Sequence, residues 1–449
     1  MSSQNSFMVE KRIILLYSFP AFVIALPIIP VYVVLPTLYG VQLGLGLAST
    51  GLILLSVRLF DTISDPVIGF LSDVSGYKGI RRKPWICIGS VIAGIGLFKI
   101  LNPPDVVNNS YLLGWSLMLY TGWTMVAVPY TAWGAELSRD YHLRTKITSW
   151  REGIGLFGIL AAGLLNAGTA QLNFSTLDSM STLSWFALLL GPPVIIILIR
   201  YVPDQKIGHY LSEKAGSTNF LKQIRILSNN RLFLRLLLAW FLNGLANGIP
   251  AALFFLYLEH GLGVDESNRP LFILLYFLSA VVTIPIWSSL SFHFGKHRTW
   301  CYAMLLASLA FLTVPLVPAG GFLSFAIICV ITGAALGADL TIPPAVQGDV
   351  VDYELYRTGE GRAGLQFALW GVSTKLALAL AIGIALPGLE LLDFDPLDVT
   401  EGGRNILIIV YSQIPVAFKV IAVLIVWNFP LNLRRQQIVR QKLRRNGYC

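Results

Sequence analysis

The stretch "RLFDTISDP", residues 58–66, places charged side chains inside an apolar segment that runs from residue 48 to residue 71. Residues three, four and seven apart stack along one side of an α-helix, so Arg58, Asp61 and Asp65 share a face. A charge at the centre of a bilayer costs at least ~2.5–3.5 kcal/mol on insertion scales. If this segment crosses a membrane, its acids must therefore face a polar cavity, a cation or a partner side chain.

The composition indicates a membrane protein. Of the 449 residues, 55% are hydrophobic and 13% are charged, whereas soluble domains carry about 25% charged residues. The polar start "MSSQNSFMVEKR" and the long apolar stretch after it do not resemble a cleavable signal peptide. The four cysteines are scattered without C-x-x-C spacing, which argues against a disulfide framework and a zinc site. The net charge of +9 lies largely in short loops and the C-terminal tail, so a nucleic-acid partner is not expected.

Hydropathy predicts twelve membrane spans. They lie near residues 13–39, 48–71, 85–102, 111–133, 153–171, 183–202, 232–258, 270–293, 299–317, 321–345, 365–388 and 405–429. The loops after the second, fourth, eighth and tenth spans carry Lys and Arg, whereas those after the first, third, fifth and ninth carry none. By the positive-inside rule, we expect a multi-pass protein of the plasma (inner) membrane with both termini in the cytoplasm.

The predicted fold is an all-α membrane protein with two pseudo-symmetric six-helix bundles. The N-terminal half covers 1–202 and the C-terminal half 232–429, with a cytoplasmic central loop at 203–231 and a basic cytoplasmic tail at 430–449. Two motifs recur between the halves. "LSDVSGYKGIRRKPW" returns in shortened form as "LSFHFGKHRTW", and "VPYTAWGAELSRDY" resembles "IPPAVQGDVVDYEL". Such repeats are typical of transporters with a central substrate site.

The acids of the second span are the first functional candidates. Two carboxylates one helical turn apart can bind Na⁺ together with nearby oxygens, or they can share a proton. The alternative is a static ion pair of Asp61 or Asp65 with Arg58 or Lys375. Lys375 lies well inside the eleventh predicted span, so its side chain is expected to point inward to the acids.

Charged residues in the turns between spans form a second group of candidates. Acids and bases there can pair across the cytoplasmic face and stabilise one conformation of a transporter, or the bases can simply set the topology. The gating candidates are Arg58, Gly69, Asp73, Arg81, Arg82, Glu136, Asp140, Arg144, Asp349, Asp352 and Arg362.

A third group could contact the substrate. Arg151 and Glu152 open the fifth predicted span, where they face either the cavity or the membrane interface. Trp123, Tyr130 and Trp370 could stack on a sugar ring or line an apolar slot, and packing is the alternative role for each.

Several other functions are excluded by pattern. "GIGLFG" fits the spacing G-x-G-x-x-G but lies in a membrane span with no preceding strand, so it does not indicate a dinucleotide site. Its glycines, like Gly333 and Gly337, instead indicate close helix packing. No G-x-x-x-x-G-K-[ST] motif occurs, and no catalytic set stands out. We therefore expect neither an enzyme nor a cofactor other than a coupling ion, Na⁺ or H⁺.

In "RLFDTISDPVIGFLSD", "RRKPW", "VPYTAWGAEL" and the span-eleven lysine, the chain resembles the glycoside–pentoside–hexuronide:cation symporters of the major facilitator superfamily, the melibiose permease family. The resemblance implies that Asp61 and Asp65 are cation ligands, assisted by Ser64 and Thr124. It also implies a lysine near the cation at Lys375 and a cavity arginine at Arg151.

Two departures from that family concern the sugar site. The melibiose permease has sugar-binding acids where this chain has Ala25 and Ala127. The same family also resembles vertebrate sodium-dependent lysolipid carriers, so an amphipathic substrate is an alternative.

The resulting prediction is cation-coupled symport, by alternating access, of a small organic solute such as a sugar or glycoside. The alternatives are a Na⁺-dependent lysolipid carrier, an uncoupled facilitator, and a membrane enzyme or scramblase. The expected partners are the small-molecule substrate and membrane lipid, and the expected state is a monomer.

Overall fold

The computed structural model describes residues 11–28, 30–35, 38–75, 81–138, 140–171, 175–204, 220–264, 269–392, 394 and 400–446. These residues are almost entirely helical, as hydropathy predicts. Twelve long helices occupy the positions of the predicted spans. They are α1 Lys11–Ala25, α2 Leu47–Val74, α3 Lys83–Leu101, α4 Asn109–Leu137, α5 Tyr141–Gln171, α6 Thr176–Tyr201, α7 Arg231–Leu256, α8 Arg269–Phe294, α9 Lys296–Leu312, α10 Phe322–Thr358, α11 Ala363–Leu391 and α12 Glu401–Val426.

Nine segments among the described residues are long and apolar enough to cross a membrane, and they correspond to α3, α4 and α6 to α12. Helix α1 is the shortest of the twelve. It ends shortly before Pro27 and is followed by two π-helical segments, Pro30–Val34 and Leu38–Gln42. Prolines explain this interruption, because they remove backbone donors and clash with the preceding turn.

Some helix ends differ from the predicted span limits. Helix α5 begins at Tyr141, so Arg151 and Glu152 lie about three turns inside it and do not open it. Helix α10 continues to Thr358, well past the predicted limit near residue 345. The predicted central loop contains a short helix, Phe220–Ser228, and the tail forms the C-terminal helix Leu433–Arg445.

The described residues group into two compact units. The N-terminal unit comprises those within Met1–Phe220, Glu354–Leu369 and Arg440–Cys449. The C-terminal unit comprises those within Leu221–Tyr353 and Trp370–Val439. The first turns of α11 and the end of the C-terminal helix thus belong with α1 to α6.

Small residues bring helices close together in both units. In the N-terminal unit, a Cβ atom added at Gly96 on α3 would lie 2.7 Å from the main-chain nitrogen of Leu119 on α4. In the C-terminal unit, a Cβ added at Gly333 on α10 would collide with the carbonyl oxygen of Tyr276, and one at Gly337 would lie 2.7 Å from that of Ala280. The prediction of close packing at Gly333 and Gly337 is therefore confirmed.

Candidate functional site

The two acids of α2 lie together inside the N-terminal unit. Asp61 and Asp65 are each 4% exposed. The buried Thr124 hydroxyl on α4 lies 2.8 Å from Asp61 Oδ1 and 3.0 Å from Asp65 Oδ1. A hydroxyl has one proton to donate, so it cannot fully satisfy both carboxylates at once. We call these three residues the Asp61–Asp65 site.

Two further predicted residues lie next to this site. The Ser64 hydroxyl donates to the main-chain carbonyl of Asp61 at 3.0 Å, which leaves its oxygen lone pairs available. The Arg58 guanidinium, one turn before Asp61 on α2, lies 5.2 Å from the ring centroid of Tyr120, one turn before Thr124 on α4. This distance is typical of a cation–π contact. Arg58, predicted as a gating residue, therefore lies one turn along α2 from the acids.

The chemistry of the Asp61–Asp65 site follows from its donor set. Two carboxylates that flank one hydroxyl can hold a cation or a proton between them. Carboxylate and hydroxyl oxygens are ligands for hard cations, and intramembrane acids commonly mark ion pathways. Within the described residues, no group of three or more His, Cys, Asp and Glu side chains converges as a multidentate metal site would require. The residues present fit one small monovalent cation or a proton.

The turn between α2 and α3 holds a buried ion cluster in the N-terminal unit. The fully buried Arg82 donates to Asp73 Oδ1 at 2.7 Å, to Ser72 Oγ at 2.8 Å and to Glu136 Oε1 at 2.8 Å. Arg81 also pairs with Glu136. Burial by itself would lower the pKa of Arg82, but Glu136 and Asp73 raise it above its usual value. Arg82 therefore stays charged at any physiological pH.

Asp73 extends this cluster to the start of α11. Its Oδ1 and Oδ2 accept from the main-chain nitrogens of Gly364 and Leu365, both at 2.9 Å, so it caps the helix. The approach requires Gly69, because a Cβ there would lie 2.6 Å from the carbonyl oxygen of Gly364. The structure thus brings Gly69 and Asp73 together with Arg81, Arg82 and Glu136.

The corresponding turn of the C-terminal unit uses a lysine. Lys296 at the start of α9 pairs with Asp349 of α10 at 2.7 Å, and both are 1% exposed. The two motifs that recur in the sequence therefore meet in each unit as a base and an acid. Asp352, one turn later, accepts from Gln436 of the C-terminal helix at 3.0 Å.

The remaining gating candidates make local contacts in the N-terminal unit. Asp140 pairs with Arg440 of the C-terminal helix at 2.9 Å. Arg144 donates to the carbonyl oxygen of Ala135 at 3.1 Å. Arg362 pairs with Glu354 at 3.4 Å and also with Glu360.

Two predicted substrate residues of the N-terminal unit lie in one buried cluster. The hydroxyl of Tyr130 donates to the main-chain oxygen of Tyr17 at 2.5 Å, and the hydroxyl of Tyr17 donates to the main-chain oxygen of Tyr130 at 2.8 Å. Arg151 lies beside both tyrosines and pairs with Glu152. Trp123 instead lines an apolar cavity of about 470 Å³ between α1, α3, α4 and α6.

The other two lie on α11 in the C-terminal unit. Trp370 stacks on Trp240 of α7 with ring centroids 4.5 Å apart. Lys375 is partly buried, about one and a half turns further along α11.

A second buried ionisable cluster, in the C-terminal unit, was missed by the site prediction. Lys419 Nζ donates to the amide oxygens of Asn243 at 2.9 Å and Asn247 at 2.8 Å. The amide nitrogens of the same asparagines donate to Asp339 Oδ2 at 3.0 and 2.9 Å. Trp300 donates to Asp339 Oδ1 at 2.7 Å, and Lys419 lies 3.8 Å from Asp339 Oδ2. Both ions lie within predicted spans, so the rule that singled out Asp61 also applies to them.

Twelve long helices among the described residues, with ionisable side chains buried between them, are typical of membrane transporters of the major facilitator type. The chain matches the family model "MFS/sugar transport protein" over residues 16–433. It therefore belongs to this family, which is a class of transporters and not of enzymes.

Curated relatives include symporters from animals and bacteria. The chain is 23% identical over 436 residues to sodium-dependent lysophosphatidylcholine symporter 1-A of Danio rerio, covering 88% of this chain and 81% of the relative. It is 24% identical over 432 residues to the human sodium-dependent lysophosphatidylcholine symporter 1, covering 87% and 78%. It is also 26% identical over 361 residues to the uncharacterized symporter YnaJ of Bacillus subtilis, covering 78% and 75%.

Solved structures support the fold. A bacterial homologue of the iron transporter ferroportin superposes with a TM-score of 0.66 at 15% identity, covering 93% of this chain and 98% of that one. The proton:xylose symporter XylE superposes with a TM-score of 0.62 at 15% identity, covering 95% and 98%. The predicted fold class is confirmed. A narrower placement with the melibiose permease family stays a prediction.

Proposed function

We propose that this chain is a cation-coupled symporter in which Na⁺ binds between Asp61, Asp65 and Thr124. The observation that carries the proposal is the contact of the Thr124 hydroxyl with two buried carboxylates. The animal relatives are sodium-dependent symporters by name, which supports Na⁺ over H⁺ as the coupling ion. Ser64 supplies a further oxygen, and Lys375 and Arg151 are proposed to act in coupling and substrate binding.

Coupling follows from electrostatics. A pair of charged carboxylates opposes closure of a cavity around it, because closure removes the water that solvates the charges. Bound Na⁺ neutralises part of that charge and so favours the conformations that alternating access requires. The charged turns, with Asp73, Arg82 and Glu136 in one unit and Lys296 and Asp349 in the other, are proposed to stabilise one end of the cycle.

The proposed substrate is a small organic solute, with sugars and glycosides as the first class, as the family description suggests. A lysolipid is the second class, supported by the relatives' names and by the alanines at positions 25 and 127. Alanine cannot accept hydrogen bonds from sugar hydroxyls, so a sugar would need other partners. The proposed setting is the plasma (inner) membrane, with cytoplasmic termini and a monomeric chain.

The coupling proposal is tested first by cation binding, which needs no known substrate. Purified protein is unfolded thermally in Na⁺ and in choline at equal ionic strength, because a ligand that binds the folded state raises the unfolding temperature. We expect Na⁺ to stabilise the wild type but not Asp61→Asn or Asp65→Asn. Glu401→Gln, in the first turn of α12, is the control and should keep the effect.

The same assay at two pH values then separates the alternatives. An unfolding temperature that depends on pH but not on Na⁺ would indicate H⁺, and not Na⁺, as the ion bound at this site. An unfolding temperature that depends on neither would reject coupling and leave an uncoupled facilitator. Adding sugars, glycosides or lysolipids to the Na⁺-bound protein then identifies the substrate class by a further rise in unfolding temperature.

A further inference from the structure

The C-terminal unit encloses a cavity of about 230 Å³ between α7, α8, α9, α10 and α12. Most of its wall is aromatic or aliphatic, with Phe254, Phe325 and Ile328 among the lining residues. One end is polar, because Asn247, Asp339 and Lys419 also line it. An apolar cavity with a few convergent polar groups is the usual form of a small-molecule site.

Tyrosine hydroxyls in this cavity lack a protein partner. Tyr411 on α12 is only 3% exposed and lines the cavity, as does Tyr276 on α8. Across the described residues, neither hydroxyl makes a hydrogen bond to another protein group. Hydroxyls that face a cavity can donate to an acceptor that occupies it. The cavity therefore suits an occupant that carries a hydrogen-bonding group.

The charges at the polar end favour an uncharged occupant. Asp339 and Lys419 lie 3.8 Å apart and offset each other, and Asn243 and Asn247 bridge them. A charged ligand would add an uncompensated ion to this buried site, which is strongly unfavourable. The third proton of the Lys419 ammonium and the tyrosine hydroxyls are instead available as donors. A neutral acceptor, such as an alcohol, ester or amide oxygen, matches them.

The volume of the cavity limits the size of the ligand's apolar part. A water occupies about 30 Å³ of liquid, so this cavity has room for roughly eight groups of that size. Ala251 and Phe255 line it and are exposed, one helical turn apart on α7. The cavity therefore reaches the protein surface at these two residues.

We propose that this cavity binds an uncharged amphiphile: a chain of about eight carbons, or a ring system of similar size, with one neutral oxygen acceptor at the Asn247–Asp339–Lys419 end. The site is separate from the Asp61–Asp65 site. It does not depend on cation coupling, and binding alone tests it.

The experiment uses the full chain in phosphatidylcholine nanodiscs with a diazirine analogue of 1-octanol. After photolysis, labelled peptides are mapped, and 1-alkanols from butanol to dodecanol compete for labelling. We expect labelling of cavity residues on α7, α8 and α10. Competitor potency should rise about fourfold per added methylene and level off near eight carbons. Partition into lipid would keep rising with chain length, so a potency with no plateau would overturn the proposal.

Matched variants test the polar contact. Tyr276→Phe removes the cavity hydroxyl near Asp339 and keeps the ring, and it should weaken octanol binding roughly three- to tenfold. Tyr257→Phe is the control, because Tyr257 stacks on Tyr411 at 4.3 Å but does not line the cavity. Ala335→Phe should fill the cavity and abolish specific labelling. Equal binding by both tyrosine variants and the wild type would contradict the proposed hydrogen bond.

Discussion

Each half of the chain buries a cluster of ionisable side chains, and the two clusters have different chemistry. In the N-terminal unit, Asp61 and Asp65 share one hydroxyl. In the C-terminal unit, Asp339 and Lys419 carry opposite charges, and two asparagines bridge them. The first cluster joins two acids through a hydroxyl, and the second pairs an acid with a lysine.

The difference shows that a charge inside a membrane protein does not by itself identify an ion site. The Asp339–Lys419 cluster is internally compensated, so it holds α7, α10 and α12 together without any added ion. The Asp61–Asp65 site places two acids beside one hydroxyl, and their oxygens can take a cation or a proton. The two clusters are therefore distinguished by which side chains meet in them, and not by burial alone.

The largest loss of folding stability is expected from breaking the ion pair of the Asp339–Lys419 cluster. Asp339→Asn leaves the Lys419 ammonium without its carboxylate, and removing one partner of a buried pair costs about 3–5 kcal/mol of folding free energy. Asp61→Asn keeps an acceptor for Thr124 and lowers the repulsion, so it should leave the unfolding temperature near that of the wild type in choline. Thermal unfolding measures both.

The double variant Asp339→Asn with Lys419→Gln is the control for this prediction. It removes both charges but keeps amide groups that can bond to Asn243, Asn247 and Trp300, so it should recover part of the stability that Asp339→Asn loses. If Asp61→Asn lowered the unfolding temperature as much as Asp339→Asn does, Asp61 would stabilise the fold as Asp339 does, and the proposed difference between the two clusters would be wrong.

The second effect concerns the charged turn beside α2. Asp73→Asn replaces an oxygen that accepts from a main-chain N–H of α11 with a donor, and it weakens the bond to Arg82. Hydrogen bonds to charged groups contribute about 1.5–3 kcal/mol. The loss should stay below that for Asp339→Asn because Arg82 keeps Glu136. Asp73→Glu, which keeps the charge, is the comparison variant, and a wild-type unfolding temperature in Asp73→Asn would reject the capping role.

The helices of this chain were predictable because a spanning helix must be apolar along its length. Their ends were less so. Polar residues at a membrane surface can continue a helix, as Tyr141 at the start of α5 and Thr358 at the end of α10 show. Hydropathy reports where the bilayer ends and not where the backbone stops being helical.

The candidate sites were predictable in part. Helical period places Asp61 and Asp65 on one face, but Thr124 entered only through family resemblance. Its position beside the acids depends on the packing of α2 against α4, which no local pattern encodes. Asp339 and Lys419 were recognisable as intramembrane ions, yet their pairing joins distant spans, and periodicity within one helix cannot reveal it.

A smaller change, in the affinity for Na⁺, is expected when the Thr124 hydroxyl is removed. Thr124→Val keeps the shape and removes one oxygen ligand, so the apparent affinity for Na⁺ should fall roughly tenfold, or about 1.4 kcal/mol, which lies within the range of one hydrogen bond. Thr121→Val is the matched control on α4, because the Thr121 hydroxyl donates to the carbonyl of Leu117 and not to an acid. Na⁺ titration of the unfolding temperature compares the two. Equal shifts in both variants would remove Thr124 from the cation site.

The smallest effect is expected at the exposed ion pair of Asp140 and Arg440, whose side chains are 40% and 29% exposed. Arg440→Gln should cost about 0.2–1 kcal/mol, and the loss should shrink in high salt. Asp140→Ala should cost about 1 kcal/mol more, because Asp140 also accepts from the main-chain nitrogens of His142 and Leu143 at the start of α5.

The pH dependence of these two variants provides an independent check. Burial raises the pKa of Asp140, but the Leu143 N–H and Arg440 outweigh it and hold the pKa below its usual value. A lowered acid pKa stabilises the fold fully above the unfolded value, near 4, and the stabilisation is lost as pH falls through the folded pKa. The difference between wild type and Arg440→Gln should therefore be constant at neutral pH and shrink below about pH 4. A loss at neutral pH comparable to that of Asp339→Asn would mean that burial does not separate structural ion pairs from surface ones in this chain.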